Sequence, residues 1–447
     1  MTGDDAGSRD RASKPTALVR AYEALLDDED HGYGELPDEV AEAVPGNAAK
    51  QIVALTLQKA GDLVVDAKTV LAWLLVAVGA PAAFTGLLVP IRESGSMLPQ
   101  VLLVPVVRRL AVRKWVWVAG GGLQALAVLA MAAVAATLTG TAAGIGILLA
   151  LTAFAFARSL SSIASKDVLG RTVPKGARGQ INGYATVGAG VAAITVGLGL
   201  RAVGGEDTPP ETFAWLLVGA AVAWVLAVIT YATVTEAPGE TDPGDGAPIG
   251  GAVRLLRDDA PFRRFVIART LLLVSALTPP FVVTLASRQG ESGLGGLGAF
   301  VISSGVASLL GGRFWGRFAD RSSRRTMMIA SGAASTIVMV FLALLLIDDL
   351  RALPLLYPAT YLLLALAHTG ARLGRKTYVV DLAEGNKRTD YVAVSNTAMG
   401  ILLLVTGVLT SAVAVLGVEA ALLVLAILGY AGVAVSGALP EVSEPAG

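Results

Sequence analysis

Apolar stretches of about 20 residues recur along the chain from residue 68 to residue 438, and short charged segments separate them. The apolar residues do not alternate with polar ones, as they would in the strands of a membrane barrel. A helix needs about 20 such residues to cross about 30 Å of hydrocarbon, so each stretch predicts a membrane-spanning helix. We predict twelve spans: 68–88, 90–109, 115–138, 142–165, 180–203, 212–235, 264–287, 295–316, 326–347, 353–375, 389–415 and 418–438.

A segment rich in proline, glycine and acidic residues divides the spans six and six, and its composition is typical of a linker. The predicted fold class is therefore an all-α membrane protein with two pseudo-symmetric six-helix bundles. The predicted parts are a cytoplasmic N-terminal tail (1–65), a first bundle (66–235), a cytoplasmic linker (236–263), a second bundle (264–440) and a cytoplasmic C-terminal tail (441–447). Residues 48–68 have helical apolar spacing, which suits either the membrane surface or a site on the inner loops.

The composition excludes several classes of function. The chain is 54% hydrophobic and 16% charged, whereas soluble domains are about 25% charged. It has no cysteine and only two histidines, His31 and His368, which excludes thiolate and multi-histidine metal sites. No phosphate-binding loop of the ATP-hydrolysing kind appears. From these absences we expect no cofactor and no metal. The net charge of zero gives no indication of a nucleic-acid partner, and we expect none.

Lysine and arginine lie mainly in alternate loops. With the N-terminus inside, the inner loops hold the clusters at 108–114, 166–178, 254–264, 313–325 and 372–388. The outer turns hold Arg92, Arg201, Arg288 and Arg351. Cytoplasmic loops carry such an excess, so we expect a protein of the cytoplasmic membrane with both termini in the cytoplasm.

The two halves share a weak internal repeat. At an offset of 210 residues, Lys166 matches Lys376 and Arg178 matches Arg388. Parallel repeats of this kind place a substrate site near the middle of the membrane, between the halves. Two six-span copies would thus rock around a shared central site.

The segment "GRFADRSSRR" lies in the predicted inner turn between spans eight and nine. It is similar to the G-x-x-x-D-R-x-x-R-R/K signature of the major facilitator superfamily, through Gly316, Asp320, Arg321, Arg324 and Arg325. The equivalent turn of the first half, "PVVRRLAVRK", departs from that pattern. The resemblance implies a monomeric secondary transporter that works by alternating access.

The signature has two readings. Asp320 could face the N-terminus of the fifth span when the inner side is closed, because a helix N-terminus attracts an anion. The arginines would then pair with Asp320 and hold the turn. Alternatively, the arginines only fix the topology.

Charged residues inside spans are costly and usually mark a pathway. Arg92 and Glu93 lie about one turn inside the second span, where Glu93 could carry a proton or form an exposed ion pair at the outer rim. Arg158 and His368 match at an offset of 210 residues in spans four and ten, which line the cavity in the family resembled. Both could instead reach the inner surface, and Arg372 either shares their face or is an ordinary inner-loop arginine.

Two further sets of residues flank or interrupt spans. Asp66 and Lys68 flank the start of the first span, and we interpret them as interfacial anchors. Pro81 in span one and the pair Pro279–Pro280 in span seven should interrupt helix hydrogen bonding, which is tolerated beside protein or a water-filled cavity. We interpret these prolines as sites of gate flexing.

The sequence therefore predicts a secondary active transporter, not an enzyme, which moves a small organic solute across the bilayer. Proton-coupled efflux is preferred, because Glu93 and His368 are available for protons. Uptake by a permease or facilitator of the same fold is the first alternative. A membrane-embedded enzyme or a non-transporting sensor is the alternative of another class.

Overall fold

The computed structural model describes residues 37–174, 178–203, 210–239, 241, 249–289, 294–382 and 387–442, and the regular structure in these ranges is helical. The first half comprises α1 (Asp38–Val64), α2 (Val70–Ala77), α3 (Thr85–Met97), α4 (Gln100–Arg108), α5 (Lys114–Thr137), α6 (Gly140–Thr172), α7 (Arg178–Val203) and α8 (Pro210–Ala232). Helix α9 (Ile249–Asp258) lies in the linker. The second half comprises α10 (Ala260–Leu271), α11 (Val274–Arg288), α12 (Leu294–Arg321), α13 (Ser323–Leu344), α14 (Asp348–Arg351), α15 (Leu356–Asp381), α16 (Lys387–Ala414) and α17 (Val418–Gly437).

Eight of the described helical segments are long and apolar enough to cross a membrane. Large apolar side chains cover the outside of the bundle, including Leu126, Leu149, Trp215 and Ile229, each more than half exposed. Water does not favour such a surface, whereas lipid does. The chain is a multi-pass membrane protein, and the count of twelve spans stays a prediction.

The two halves repeat one packing plan. In the first half, α5 packs on α6 and α8, and α3 packs on α6. In the second half, α13 packs on α15 and α17, and α12 packs on α15. Arg158 on α6 and His368 on α15 therefore occupy equivalent helices, as predicted.

The first helix begins much earlier than predicted. Helix α1 packs antiparallel to α8: Asn47 donates to the Thr235 carbonyl at 2.9 Å, and the Cα of Gly61 lies against Trp224. Residues 38–64 are thus part of the first bundle, and the predicted tail over 1–65 is wrong for this stretch. Hydropathy missed α1 because it carries buried polar residues such as Gln51, whose amide donates to Thr172 at 2.8 Å.

The predicted span 68–88 is not one helix. Helix α2 ends at Ala77, and the chain turns through Gly79, whose φ of 73° suits glycine. Pro81 follows in this turn, so the prediction that it interrupts the first span is wrong. Helix α3 begins at Thr85, within the predicted first span, rather than at residue 90.

Each half instead has a broken first helix. The break lies at 65–69 between α1 and α2, and at 272–273 between α10 and α11. Pro279 and Pro280 lie inside the continuous helix α11, beyond its break. Proline still removes the N–H that would bond to the carbonyl of Ser275, so hydrogen bonding is interrupted here as predicted.

Several contacts join the two halves away from the linker. We call the side with the turn at 109–113 and the linker the linker side, and the opposite side the distal side. On the distal side, the Thr85 and Thr284 hydroxyls lie 3.2 Å apart, and the rings of Trp73 and Phe300 lie 5.8 Å apart between centroids. All residues from Val274 to Ser287 of α11 are buried there.

Glycines allow the two halves to approach closely. A Cβ on Gly197 of α7 would lie 2.9 Å from the Gly298 carbonyl oxygen of α12. On the other flank, Gly407 of α16 lies against Pro90 of α3, and the Ser94 hydroxyl donates to the Gly400 carbonyl at 2.7 Å. Small residues permit this contact between membrane helices.

We predict that Gly197→Val opens the distal side. The added methyl groups would overpack the contact with Gly298, a change of about 1–3 kcal/mol and so about five- to a hundredfold in the closed population. A cysteine at the buried position Thr85, in a chain that has no other cysteine, should react faster with a maleimide by a comparable factor.

The matched control is Gly199→Val, because no atom lies within 4 Å of a Cβ at Gly199. This variant should leave the reactivity at Thr85 unchanged. Equal reactivity in both variants would show that the glycine contact does not hold the distal side closed.

Candidate functional site

An ion-paired carboxylate lies in the middle of the first half. Asp62 bonds Arg92 of α3 at 2.9 Å and Arg158 of α6 at 2.6 Å. Its neighbour Gly61 packs against Trp224, which is near the middle of the 23-residue helix α8. The sequence-based alternative of an Arg92–Glu93 pair at the outer rim is therefore wrong, because Arg92 binds Asp62.

The same arginine holds the break in the first helix. Arg92 donates to the carbonyl of Val65 at 2.8 Å, which satisfies an acceptor that the broken helix leaves open. Asp66 accepts from the backbone N–H of Lys68 at 2.9 Å and from the Thr69 hydroxyl at 3.1 Å. Asp66 and Lys68 thus lie within the break, not before the first helix, and their interpretation as interfacial anchors is wrong.

The second half has a polar centre at the equivalent place. The Nδ1 atom of His368 lies 3.2 Å from the hydroxyl of Ser275, close to the break between α10 and α11. On α10, Arg269 donates to Ser395 at 2.9 Å and to Asn396 at 3.1 Å, both on α16. His368 is near the middle of the 26-residue helix α15, and its place in a cavity stays a prediction.

A cluster of charges joins the two halves. From the first half come Lys68, in the break, and Glu93 of α3; from the second come Arg372 and Arg375 of α15. Lys68 interacts electrostatically with Glu93 and with both arginines, and Arg375 interacts with Glu93. We call these four residues the central cluster.

Arg375 is the most deeply buried member of the central cluster, with 6% of its surface exposed. Its Nε atom donates to the carbonyl of Ala371 in its own helix at 3.1 Å. Its buried Nη1 atom has no hydrogen-bond partner. A buried donor without a partner is unfavourable by about 1–3 kcal/mol, and more for a charged group.

Charged side chains from both halves are exposed on the linker side of the central cluster. Lys166 of α6 and Lys376 of α15 interact electrostatically across the halves, and both are exposed. Arg372, which interacts with Lys68, is also exposed. The two halves thus present like charges to solvent on this side.

The signature turn is fastened to the end of the chain. Arg324 donates to the Leu439 carbonyl at 2.7 Å and lies 3.3 Å from Glu441, which also accepts from Ser322 at 2.8 Å. Arg324 thus has Glu441 as a partner, and residue 441 belongs with the bundle rather than with a free tail. Arg321 and Arg325 are exposed. The structure does not describe the surroundings of Gly316 or the side chain of Asp320. The contact of Asp320 with the N-terminus of the fifth span therefore stays a prediction.

The first half has an equivalent fastening. Glu236, which follows α8, accepts from the backbone N–H groups of Arg113 at 3.1 Å and Lys114 at 2.7 Å. These groups start α5, so the carboxylate caps that helix. Glu236 and Glu441 thus play equivalent roles after the last helix of each half. This equivalence was not evident from the sequence, because the turn of the first half departs from the signature pattern.

A cavity of about 580 Å³ lies away from these charges. It is lined by α10, α11, α16 and α17, mostly with apolar side chains such as Leu271, Val413 and Leu425. The described residues contain no group of three or more histidine, aspartate or glutamate side chains that could hold a metal. The central cluster, by contrast, joins both halves at the break, and we take it as the candidate site.

Hydropathy and motif patterns did not identify Asp62, Arg269 or Arg375 as site residues, and they placed Lys68 at the start of a span rather than at a helix break. A detectable signal was present: residues 52–78 form one largely apolar stretch that carries Lys59, Asp62, Asp66 and Lys68. Charges within such a stretch point to a functional helix.

We predict that Asp62→Asn destabilises the protein by about 3 kcal/mol, because it leaves two arginines unpaired inside the bundle. The midpoint of thermal unfolding should fall by several degrees, whereas Glu211→Gln, at an exposed position, should not change it. Adding Arg158→Gln to Asp62→Asn should restore part of the loss. A midpoint equal to that of the parent would contradict a stabilising ion pair.

We also predict that Arg324→Ala lowers stability by about 1 kcal/mol, since it removes bonds to the chain end. Arg325→Ala is the matched control, because this neighbouring arginine is exposed. Thermal unfolding of both variants tests the difference. Equal midpoints would mean that the contact with Glu441 contributes no stability.

Comparison with known proteins agrees with this architecture. The family model of the Major Facilitator Superfamily matches residues 67–367, more than half of the chain. Among solved structures, a nucleoside transporter, NupG, is 14% identical with a TM-score of 0.62, over 87% of this chain and 99% of that one. The xylose transporter XylE from E. coli, in an inward open conformation, is 10% identical with a TM-score of 0.64, over 88% and 96%.

A POT family transporter in complex with a thioalcohol conjugated peptide is 10% identical with a TM-score of 0.68, over 90% of this chain and 97% of that one. Identities this low establish a shared fold only. No curated protein matches the chain in sequence. The family match and the two equivalent halves together show that the chain belongs to the major facilitator superfamily of membrane transporters.

Proposed function

We propose that the protein is a secondary active transporter that moves a small organic solute across the cytoplasmic membrane by alternating access. The observation that carries this proposal is the central cluster, which lies at a helix break and takes its members from both halves. Sites built from broken helices at the interface of two repeats are typical of such transporters. We further propose twelve spans, a monomer, and both termini in the cytoplasm.

The structure corresponds to one stage of the proposed cycle. Residues 274–287 are buried on the distal side, whereas Lys166, Arg372 and Lys376 are exposed on the linker side. These differences support a gap between the halves on the linker side. With the linker side in the cytoplasm, this is an inward-facing conformation. Rocking of the halves about the glycine contacts would close the gap and expose the central cluster distally.

We propose that protons drive transport. Glu93 belongs to the central cluster, and His368 lies one helical turn before Arg372 on α15. Both side chain types exchange protons in water, and they come from opposite halves. Efflux in exchange for protons is the direction that the sequence analysis favours, with Gly316, Asp320 and the arginines that follow acting at the inner gate.

Uptake together with protons is the second candidate, and the charges around Glu93 favour it. Lys68 and Arg375 both interact with Glu93. A proton on Glu93 would remove the carboxylate charge that these cations face, and would strengthen their attraction for a negatively charged solute. Proton and solute would then bind cooperatively, as movement in the same direction requires.

We predict that Glu93→Gln abolishes flux driven by a pH gradient in proteoliposomes and leaves exchange of labelled for unlabelled solute intact. The reason is that a glutamine side chain occupies the same space as glutamate but does not take up or release a proton. Glu211→Gln, at an exposed position, should retain both activities.

Gradient-driven flux that survives Glu93→Gln would exclude Glu93 as the coupling group. The sign of the gradient separates the two candidates. A solute that accumulates against its gradient when the opposite compartment is acidic moves with protons, and one that leaves toward the acidic compartment moves against them. Flux without any gradient would identify a facilitator.

A further inference from the structure

We propose that the transported solute is a small organic anion, bound through a carboxylate or phosphate group by Lys68 and Arg375. This inference rests on the proposed transport function and specifies its substrate class. It follows from the balance of charge between the halves, from the burial of Arg375, and from the charges that line the gap.

Cations outnumber carboxylates around the central cluster. Its electrostatic network includes six cations, Lys68, Lys166, Arg269, Arg372, Arg375 and Lys376. The described carboxylates that interact with this network are Asp66 and Glu93. Asp66 is already bonded to the Lys68 N–H and the Thr69 hydroxyl, which leaves Glu93 as the carboxylate that faces the cations of both halves.

The neighbouring ion-paired group offers no compensation. Asp62 binds both Arg92 and Arg158, and it also interacts electrostatically with Lys59. One carboxylate there already faces three cations. Asp62 therefore does not balance the excess of positive charge around the central cluster.

An uncompensated cation is unfavourable among membrane helices, and such residues face cavities or partners. Arg375 is nine-tenths buried, and its Nη1 atom has no hydrogen-bond partner. Its described hydrogen bond goes to Ala371 of its own helix, so it does not fasten the two halves together. Arg375 is placed to receive an acceptor that the protein does not supply.

The chemistry of the donors defines the acceptor. A guanidinium group presents parallel N–H donors that match the oxygens of a carboxylate or a phosphate, and an ammonium group adds a mobile point charge. Lys68 lies in the break of the first helix, and its side chain is partly exposed. An anionic group between Lys68 and Arg375 would contact both halves.

The gap on the linker side carries the same sign of charge. Lys166, Arg372 and Lys376 are exposed there. A positively charged funnel raises the local concentration of anions and repels cations. The path and the site thus select for one class of solute.

The test is ligand-induced stabilisation of the purified full chain with matched pairs of probes. The pairs are succinate and succinamide, benzoate and benzamide, and glucose 6-phosphate and glucose, with choline as the cation. A concentration of about 10 mM is roughly a hundred times a dissociation constant of 0.1 mM and gives a clear shift in the unfolding midpoint. At least one anion should stabilise the protein, and its neutral partner should not.

Variants tie that shift to the proposed site. Arg375→Gln should weaken binding by about ten- to a hundredfold, because it removes a charged hydrogen-bond donor. Arg375→Lys, which keeps the charge, should bind with intermediate affinity, and Lys68→Gln serves if the first variant does not fold. Arg254→Gln is the control, since the Arg254 side chain is 85% exposed and lies in the linker.

Three results would overturn the inference: no shift with any of the anions, an equal shift with the neutral partner or choline, or an anion shift that Arg375→Gln and Lys68→Gln leave unchanged. Flux of the same probes in proteoliposomes separates this failure from that of the proposed function. Binding of an anion without flux would reject transport and keep the anion site. Flux of a neutral probe alone would keep transport and reject the anion.

Discussion

The bonds of one carboxylate, Asp62, determine how the first half is built. A helix can be broken inside a membrane only where its free backbone groups find other partners. Arg92 provides one, because it binds both Asp62 and the Val65 carbonyl at the break. Arg158 brings α6 to the same carboxylate. Asp62 thus links the break in the first helix to α3 and α6.

The contact between the halves has the opposite character. Apart from the central cluster, the described part of this contact consists of glycines, small hydroxyl side chains and a few aromatic rings. Such a surface packs closely without locking. The fastenings at Glu236 and Glu441, in contrast, hold each half together through charged groups. Rigid halves joined by a smooth contact are what a rocking mechanism requires.

The sequence predicted the class, the two halves and the signature turn, because long apolar stretches and the distribution of arginine report directly on lipid and sidedness. It failed at the first helix, because the buried Asn47 and Gln51, which bond to Thr235 and Thr172, make this helix look like a surface segment. It also treated Arg375 as an inner-loop charge. Burial depends on which helix faces which, and neither hydropathy nor spacing contains that information. Pro81 misled for a similar reason, since a proline inside an apolar stretch looks the same in a turn as in a helix.

The proposed gap gives the central cluster an electrical consequence. In the proposed inward-facing conformation, the central cluster lies on the side of the compartment held at negative voltage. Each net positive charge there would be stabilised by up to about 2.3 kcal/mol per 100 mV of membrane potential. The resting voltage would then favour the inward-facing conformation, and binding of an anion would remove that bias.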